Sequence, residues 1–423
     1  MYGYENNINF WKEKSMKALV LAGGLPQIKL INDLKKRGIT TVLLDGNNNA
    51  IARPYADVFY QAAIFDIEVV KEIAIKEEVD FLITVCADQV LLVVAQVSEM
   101  LGLPCYIDYQ TAINVSDKTY MKKIFKENNI PTSNYVQLAD LDLEAIKHLK
   151  YPLVVKPVDA YSSKGVRKVW NENEIDVFFK EASEISRSGE VIIEEFCDGD
   201  ELSVDAFVED GKVKILCVSN SEKILDDNRF VIFRGRYPIC ATESILEKIQ
   251  TVAQQIADAF KLENCPLLIQ MINDGKKVSV LEFCARTGGN MKYMLIDSAS
   301  GVDVIEAVID LTLGIKPKIE IKEPIGKYIV NDFLYCKPGV FDHLEGFDEM
   351  VDEGMMVDYK CLRPKGTKVV GVNSSSDRIA GIQIVADSVE DFNEKQKHIA
   401  ENIKIIDCDG NDMLRHDLIT KLK

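Results

Sequence analysis

Short apolar runs alternate with amphipathic segments along the N-terminal part of the chain. The runs that predict buried strands are residues 18–21, 41–45 and 81–85. The segments whose apolar residues recur at helical spacing are residues 26–36, 69–76 and 90–101. Because strands that alternate with helices form parallel sheets, this order predicts a doubly wound parallel sheet over about residues 16–115.

Farther along, the pattern changes to strand pairs joined by tight turns. Ser116-Asp117 offers capping side chains to a helix predicted over residues 118–128, and residues 152–208 have the pattern of a small α+β lid. Asp210-Gly211 and Asp274-Gly275 each separate two apolar runs and predict β-hairpins. The predicted fold class is therefore α/β and α+β, in four regions: an N-terminal Rossmann-like domain (1–115), a linker helix and lid (116–200), an antiparallel half (201–318) and an appended β-rich tail (319–423).

Composition and charge narrow the class of protein. A chain of 423 residues with 47% hydrophobic and 28% charged residues is typical of a soluble protein with several subdomains, and no apolar run reaches the roughly 20 residues that span a bilayer. The net charge of −17 argues against nucleic-acid binding, which needs clustered Lys and Arg. Ten scattered cysteines without a Cys-x-x-Cys pair argue against a zinc site. The N-terminal residues lack a signal-peptide pattern, so we expect a cytoplasmic protein.

A strand followed by a loop of small residues suggests a phosphate site. The apolar strand that begins near Leu153 ends at Lys156, and the loop that follows contains Ser162, Ser163, Lys164, Gly165 and Val166. Backbone N–H groups in such a loop can surround phosphate oxygens beside the lysine charge. A single Lys-Pro after an apolar strand is usually just a strand end, so the inference depends on the motifs downstream.

A second group of polar residues lies on one strand near residue 282. Side chains alternate between the two faces of a strand, which places Glu282, Cys284 and Arg286 on the same face. If Gln270 on the partner strand shares that face, the hairpin must contain a bulge or an odd-numbered loop, because a plain two-residue hairpin would place Gln270 and Glu282 on opposite faces of the sheet. The alternatives are a structural ion pair for Arg286 and a simple turn at Gly288-Gly289.

In order and spacing these segments resemble an ATP-grasp enzyme, a superfamily of carboxylate–amine ligases that includes biotin carboxylase, carbamoyl-phosphate synthetase and the L-amino-acid ligases. The resemblance runs from about residue 16 to residue 315, and the tail resembles the extra C-terminal subdomain of the amino-acid-ligase branch. It implies an ATP-grasp fold with a Rossmann-like N-terminal domain, a lid and an antiparallel C-terminal half.

The resemblance also implies roles for individual residues. The implied ATP-binding residues are the phosphate lysines Lys118 and Lys156, the loop residues Ser162, Ser163, Lys164, Gly165 and Val166, the adenine hinge Glu194, Glu195, Phe196 and Cys197, and the ribose acid Glu201. The implied metal positions are Gln270, Glu282 and Cys284, and Arg286 would contact the transferring phosphate, with Lys156 as its catalytic companion. The expected substrate contacts are Arg234, Arg236, Arg286, Gly288 and Gly289; for Arg234 and Arg236, solvated charges on a loop are an equal alternative.

The chain departs from the family pattern at three places. Ala160 and Tyr161 stand in the phosphate loop where Gly or Ser is common, and Gln270 replaces a carboxylate. Cys284 replaces the usual Asn, and a thiol is a poor ligand for Mg²⁺, which prefers hard oxygen. We therefore expect reduced metal binding.

The expected activity is ATP-dependent formation of an amide, such as a dipeptide, through an acyl phosphate, with release of ADP and phosphate. It would use ATP with Mg²⁺ or Mn²⁺ and join a small carboxylate to an amine, such as two amino acids, in a possible homodimer. Gln270 and Cys284 motivate one alternative, a non-catalytic ATP-binding or sensing protein. Gly23-Gly24 followed by Asp45 motivates another, an NAD-dependent oxidoreductase, although the full Gly-x-Gly-x-x-Gly spacing is missing.

Overall fold

A parallel sheet forms the N-terminal part of the computed structural model, which describes residues 15–159, 164–226 and 229–419. Its elements in chain order are β1 (Lys17–Leu21), α1 (Leu25–Lys36), β2 (Thr40–Asp45), a 3-10 turn (Arg53–Tyr55), β3 (Val58–Gln61), α2 (Ile67–Lys76), β4 (Phe81–Ile83), α3 (Asp88–Leu101) and α4 (Tyr109–Ser116). The strand order is β3–β2–β1–β4, with every pairing parallel, as predicted. The half-buried edge strand β3 and the short helix α4 were not anticipated.

The lid is a small antiparallel sheet covered by a helix. Its elements, with the helix that leads into it, are α5 (Lys118–Glu127), β5 (Tyr135–Leu138), α6 (Leu143–Ile146), β6 (Leu153–Pro157), β7 (Arg167–Val169), α7 (Glu172–Ile185) and β8 (Val191–Glu195). The strand order is β5–β8–β6–β7. Ile175, Phe179 and Ala182 recur along one face of α7 and pack with the apolar side chains of β6 and β8, which closes the core of the lid.

An antiparallel sheet of eight strands dominates the remainder. The elements are β9 (Asp200–Glu209), β10 (Lys212–Asp226), β11 (Arg229–Tyr237), α8 (Glu243–Phe260), β12 (Cys265–Asn273), β13 (Val278–Cys284), α9 (Lys292–Ser300), α10 (Val304–Thr312), β14 (Tyr328–Leu334), β15 (Gly339–Glu345), α11 (Phe347–Asp352), β16 (Asp358–Cys361), β17 (Lys368–Val369), a 3-10 turn (Ser375–Asp377), β18 (Ala380–Ala386), α12 (Val389–Asn402), β19 (Lys404–Asp407) and a 3-10 turn (His416–Leu418). The order of the large sheet is β13–β12–β9–β10–β11–β14–β18–β16, and β17–β15–β19 form a smaller one.

The C-terminal tail is continuous with this large sheet. Strand β14 pairs with β11, so that Arg234 lies opposite Asp332 and Gly235 lies opposite Asn331. Strands β18 and β16 extend the same sheet beyond β14. The four region boundaries stay predictions. Residue 319, where the tail is predicted to begin, lies between β11 and β14 in the chain, and these two strands are hydrogen-bonded neighbours in one sheet.

The hairpin between β12 and β13 contains the predicted bulge. Asn273 pairs with Val278 across a four-residue turn, and the register shifts between Gln270 and Met271, so that Gln270 lies directly opposite Glu282. The bulge adds one residue to β13 and brings both polar side chains to one face. Gln270 and Glu282 therefore share a face through a bulge, one of the two arrangements that the strand periodicity predicts.

A glycine fixes the approach of the hinge segment to this hairpin. Gly199 has φ +138, and a Cβ built on it would lie 2.3 Å from the carbonyl oxygen of Asn273. A side chain at this position would therefore clash with backbone, and only glycine adopts such a conformation without strain.

Within the described residues, the helices are too short or too polar to cross a bilayer.

Candidate active site

One cavity of about 570 Å³ lies where the parallel sheet, the large antiparallel sheet and the tail meet. The predicted residues that line it are Lys118, Gln270, Glu282, Cys284, Arg286, Gly288 and Gly289. Asp88 at the start of α3 and Arg378 before β18 also line it, and neither was anticipated. The cavity therefore combines side chains from three separate parts of the fold.

Lys118 and Glu282 form an ion pair on one wall of this cavity. The Lys118 Nζ atom lies 3.1 Å from Glu282 Oε2, and both side chains are largely shielded from solvent. Burial lowers the pKa of Lys118, but the Glu282 carboxylate outweighs this effect and raises the pKa above its usual value. Lys118 therefore stays a cation next to the predicted metal carboxylate.

Gln270 connects Glu282 to the predicted ribose acid. Its Nε2 atom donates to Glu201 Oε1 at 3.5 Å, and Glu201 is also paired with Lys223. The ammonium of Lys223 lies 4.7 Å from the centre of the Phe230 ring, which is stacked on Phe196. The predicted hinge, ribose and metal positions thus form one connected set of contacts.

Glu194 is the centre of a buried charge cluster in the lid. Lys122 Nζ donates to Glu194 Oε2 at 2.8 Å, Ser133 Oγ donates to the same oxygen at 2.8 Å, and Lys156 Nζ donates to Oε1. Burial raises the pKa of Glu194, but the two lysines outweigh it and hold the pKa far below the usual range. The carboxylate predicted to lie at the adenine hinge therefore fixes the position of Lys156, the predicted phosphate lysine.

Lys122 is a buried cation that the sequence reasoning missed. Its side chain is 2% exposed, and burial lowers its pKa despite the pairing with Glu194. Its Nζ atom also donates to Thr132 Oγ1 at 2.7 Å, and Thr132 Oγ1 in turn donates to the Val280 carbonyl of β13. Lys122 lies four residues after Lys118 on α5, and this spacing on one helix face was the available signal.

The other predicted hinge residues lie around this cluster. Glu195 accepts hydrogen bonds from Asn134 Nδ2 and the Lys150 amide and is half-buried. The ammonium of Lys168 lies 3.5 Å from the centre of the Phe196 ring. Cys197 is half-buried, and burial raises the pKa of its thiol. Their backbone contacts to a nucleotide stay predictions.

The predicted phosphate loop is described in part. Ser162 and Ser163 lie outside the described residues. Lys164 is exposed, while Gly165 and Val166 are half-buried and lead into β7. Gly165 has φ +71, and a Cβ there would lie 2.8 Å from Ile185 Cδ1, so this turn needs glycine.

Arg286 is held by an acid from the N-terminal sheet. Its Nε and Nη2 atoms donate to the two carboxylate oxygens of Asp88, each at 2.5 Å, in bidentate geometry. Burial raises the pKa of Asp88, but the arginine outweighs it and lowers the pKa below the usual value. Asp88 follows β4 at the carboxyl edge of the parallel sheet, where polar side chains often face a ligand.

Cys284 faces the same cavity as a protonated thiol. Burial raises its pKa well above the usual value, and the negative charge of Asp88 adds to the effect. A thiol sulfur is a soft donor, whereas Mg²⁺ prefers hard oxygen, so Cys284 does not suit Mg²⁺ as a ligand. The structure thus gives a physical reason to doubt the third predicted metal position.

The predicted substrate role of Arg234 needs correction. Arg234 lies within β11 rather than on a loop, its side chain is 0% exposed, and its Nε and Nη2 atoms donate to Asp332 at 2.5 and 2.8 Å. This buried pair joins β11 to β14 and leaves no surface for a substrate. Arg236 is partly exposed on the same strand and donates to Glu222 Oε1 at 3.0 Å, outside the residues that line the cavity.

The turn after β1 has a structural explanation. Asp45 Oδ2 accepts a hydrogen bond from the Gly23 amide at 2.7 Å, and Asp45 Oδ1 accepts one from the Asn47 amide at 2.6 Å. A Cβ on Gly23 would lie 2.6 Å from Ala50 Cβ. Asp45 therefore stabilises its own turn, which argues against the ribose contact of an NAD-dependent oxidoreductase.

The donor set suits a metal ion that is bound partly by phosphate. Among the described residues, no group of three or more His, Cys, Asp or Glu is arranged to hold a metal. Glu282 and Gln270 nevertheless place a carboxylate and an amide oxygen opposite one another. Mg²⁺ usually takes only one or two carboxylates and completes its shell with phosphate oxygens and water, so these two residues fit one such ion.

The sequence is similar to those of several known proteins. Residues 116–290 match the family described as the phosphoribosylglycinamide synthetase ATP-grasp (A) domain. The chain is 25% identical over 346 residues to the carbamoyl phosphate synthase large chain of Pyrococcus furiosus, covering 77% of this chain and 31% of that protein. It is 24% identical over 328 residues to the phosphoribosylamine–glycine ligase of Lactococcus lactis, covering 71% of this chain and 74% of that protein. The matched part of this chain thus spans less than a third of the length of the carbamoyl phosphate synthase large chain.

A solved structure shows the same fold over almost the whole chain. The L-amino acid ligase from Bacillus licheniformis superimposes with a TM-score of 0.78 at 18% identity, covering 93% of this chain and 99% of that one. The parallel sheet and the antiparallel sheets described above are therefore those of the ATP-grasp fold. The resemblance inferred from the motifs is confirmed: residues 116–290 match an ATP-grasp domain, and almost the whole chain has the fold of the solved ligase structure.

Proposed function

We propose that this protein is an ATP-dependent ligase that joins a small carboxylate to an amine. The observation that carries the proposal is the grouping of Lys118, Glu282 and Arg286 around one cavity of the ATP-grasp domain. Two anions, a substrate carboxylate and the γ-phosphate, repel each other, and cations that hold both lower this barrier. Enzymes of the superfamily use ATP and Mg²⁺. The Mg²⁺ ion would add its positive charge to that of the lysine and arginine side chains.

Each residue has a distinct task in this proposal. Lys118 and Lys156 bind the phosphates of ATP, and Glu194 keeps Lys156 in place through the buried cluster in the lid. Arg286 binds the transferring phosphoryl group and then the acyl phosphate, and Asp88 orients its guanidinium. The amine attacks the acyl carbon and releases phosphate, so no nucleophile from the protein is needed.

Glu282 and Gln270 would hold Mg²⁺ together with phosphate oxygens, and the ion would neutralise the charge that develops during transfer. Glu201 and Phe196 would contact the nucleoside. The relation to the L-amino acid ligase structure favours amino acids as the carboxylate and amine components.

An ADP-release screen tests the proposal. Purified protein, ATP and Mg²⁺ or Mn²⁺ are incubated with pairs of amino acids, and products are identified by mass spectrometry. We expect ADP and an amide with at least one pair, and loss of both with Glu282→Ala. Glu247→Ala on the exposed face of α8 is the matched control and keeps full turnover. Unchanged turnover in Glu282→Ala would contradict the metal role.

A nucleotide-binding protein without turnover is the second candidate, and Cys284 favours it. A thiol in place of an oxygen ligand would weaken the Mg²⁺ site that phosphoryl transfer needs. Such a protein would show ATP-dependent thermal stabilisation. It would show no ADP release across the whole panel of substrates.

A further inference from the structure

Arg378 lies in the wall that the tail contributes to the cavity. The residue precedes β18, its side chain is 7% exposed, and it lines the cavity together with Phe333, Ser375 and Ile232. The same cavity contains the predicted phosphate and metal residues on its other walls. A cation from the tail therefore faces the space in which the substrates would meet.

The contacts of Arg378 hold its guanidinium rigidly. Nε donates to the Tyr335 hydroxyl at 3.1 Å, and Nη2 donates to the Ile232 carbonyl at 2.8 Å. The guanidinium carbon lies 3.7 Å from the centre of the Phe333 ring. Nη1 has no hydrogen-bond partner among the described residues. It is not fully enclosed by protein atoms, so part of its surface stays accessible.

No acid among the residues that the structure describes forms an ion pair with this buried charge. Among the described lysines and arginines that line the cavity, Lys118 is paired with Glu282, Arg286 with Asp88 and Lys292 with Asp205, whereas Arg378 has no carboxylate within 4 Å. Its chain neighbour Asp377 instead caps a 3-10 turn by accepting from the amides of Asn373 and Ser374.

A buried cation with only neutral partners is costly unless a ligand supplies the opposite charge. A fixed planar guanidinium is also well shaped to bind the oxygens of a carboxylate or a phosphate. The proposed function assigns the carboxylate that becomes phosphorylated to Arg286 and Glu282, so an anion at Arg378 would be a second group in the same cavity.

We infer that Arg378 is the receptor for an anionic group carried by the amine component. This inference rests on the proposed ligase function and deepens it. The anionic group is the α-carboxylate of an amino acid or the phosphate of a phosphorylated amine. Arg378 would hold the amine by this group and direct its nitrogen toward the acyl phosphate beside Arg286.

Binding without turnover tests the inference independently of the reaction. The protein is loaded with a non-hydrolysable ATP analogue and Mg²⁺, and thermal shifts are measured with two sets of probes. One set pairs L-amino acids with their amides, and the other pairs O-phosphoethanolamine with ethanolamine. We expect the anionic member of at least one pair to bind more tightly, and the set in which this occurs identifies carboxylate or phosphate.

Variants assign that preference to Arg378. In Arg378→Gln the Kd of the preferred anionic probe should rise about 10- to 100-fold, since a charged hydrogen-bonding partner is lost, while its neutral counterpart is unaffected. Arg378→Lys keeps the charge and should retain part of the preference. Arg363→Gln is the matched control, because the Arg363 guanidinium donates to the Ser376 carbonyl and Arg363 lies outside the cavity lining. It should behave like the wild type.

The outcomes separate this inference from the ligase proposal. Equal binding of anionic and neutral probes by the wild-type protein overturns the inference even if Arg378→Gln does not fold. A preference that survives in Arg378→Gln also overturns it. Tight binding without any ADP release supports the anion receptor and contradicts the ligase. ADP release with an unchanged KM for the amine in Arg378→Gln supports the ligase and contradicts the receptor.

Discussion

The charge cluster around Glu194 gives the most quantitative prediction. In Glu194→Gln, the carboxylate that binds Lys122 and Lys156 is lost, while both ammonium groups stay buried. Hydrogen bonds to charged groups contribute about 1.5–3 kcal/mol each, and removing one partner of a buried ion pair costs about 3–5 kcal/mol. The three side chains are no more than 13% exposed, so solvent offers little compensation. We expect the lid to lose about 3–5 kcal/mol of stability.

Tryptophan fluorescence can report on the lid alone. The chain has two tryptophans, and Trp11→Phe leaves Trp170 as the remaining one. Trp170 follows β7, and the centre of its ring lies 4.3 Å from the Lys168 ammonium. Denaturant unfolding in this background is measured for Glu194→Gln and for the matched control Glu195→Gln. Glu195 is more exposed, and its hydrogen-bond donors among the described residues are neutral groups, so its substitution should cost at most about 1 kcal/mol.

The same cluster predicts a dependence on pH. The folded-state pKa of Glu194 is lowered, so its contribution is fully present above the unfolded pKa of about 4.3 and is lost as the pH falls toward the folded value. The difference in stability between the wild type and Glu194→Gln should stay constant from about pH 7 to pH 5 and shrink below about pH 4.

A double substitution decides whether burial of unpaired lysine is the cause. Adding Lys122→Met to Glu194→Gln removes one unpaired ammonium and should recover part of the lost stability, because the two residues are in direct contact. A cost of less than about 1 kcal/mol for Glu194→Gln would contradict this explanation. So would a double variant that loses as much stability as Glu194→Gln and Lys122→Met lose when each is measured alone and the two losses are added.

Three further predictions concern other parts of the fold. Arg234→Met should destabilise the large sheet by about 3–5 kcal/mol, measured by thermal unfolding, because it leaves Asp332 buried without its partner; recovery with Asp332→Leu in addition would confirm the cause. Cys284→Asn should lower the Mg²⁺ concentration needed for half-maximal nucleotide binding, measured by calorimetry, since an amide oxygen is a harder ligand than a thiol; an unchanged requirement would contradict a metal at this position. Gly199→Ala should lower the melting temperature, whereas Gly211→Ala, which has a positive φ but open space around it, should lower it less.

Local signals in the sequence were sufficient for most of the elements. The apolar runs and the Asp-Gly turns predicted β1, β2, β4 and the hairpin of β12 and β13. Strand periodicity predicted either a bulge or an odd-numbered loop in that hairpin, and the structure has the bulge beside Gln270. These features depend on residues close together in the chain. Strand β3 was missed because its residues are only half-buried at a sheet edge and show no alternation.

The partners of the charged residues were not accessible from the sequence. Asp88 and Arg286 are separated by 198 positions, and Arg234 and Asp332 by 98. Spacing rules identify residues that share a face of one element, but they do not state which element packs against that face. Arg234 thus resembled a loop cation beside a glycine, and only the pairing of β11 with β14 reveals that it is buried.

The uninterrupted pairing of β11 with β14 limits how this protein can be divided. A chain shortened at residue 318 would expose the backbone edge of β11 and open the cavity on the side of Phe333. The segment that shapes one wall of the cavity is therefore not an exchangeable module. Grafting the tail of a relative to alter substrate preference should succeed only when the interface of the central strands is transferred with it.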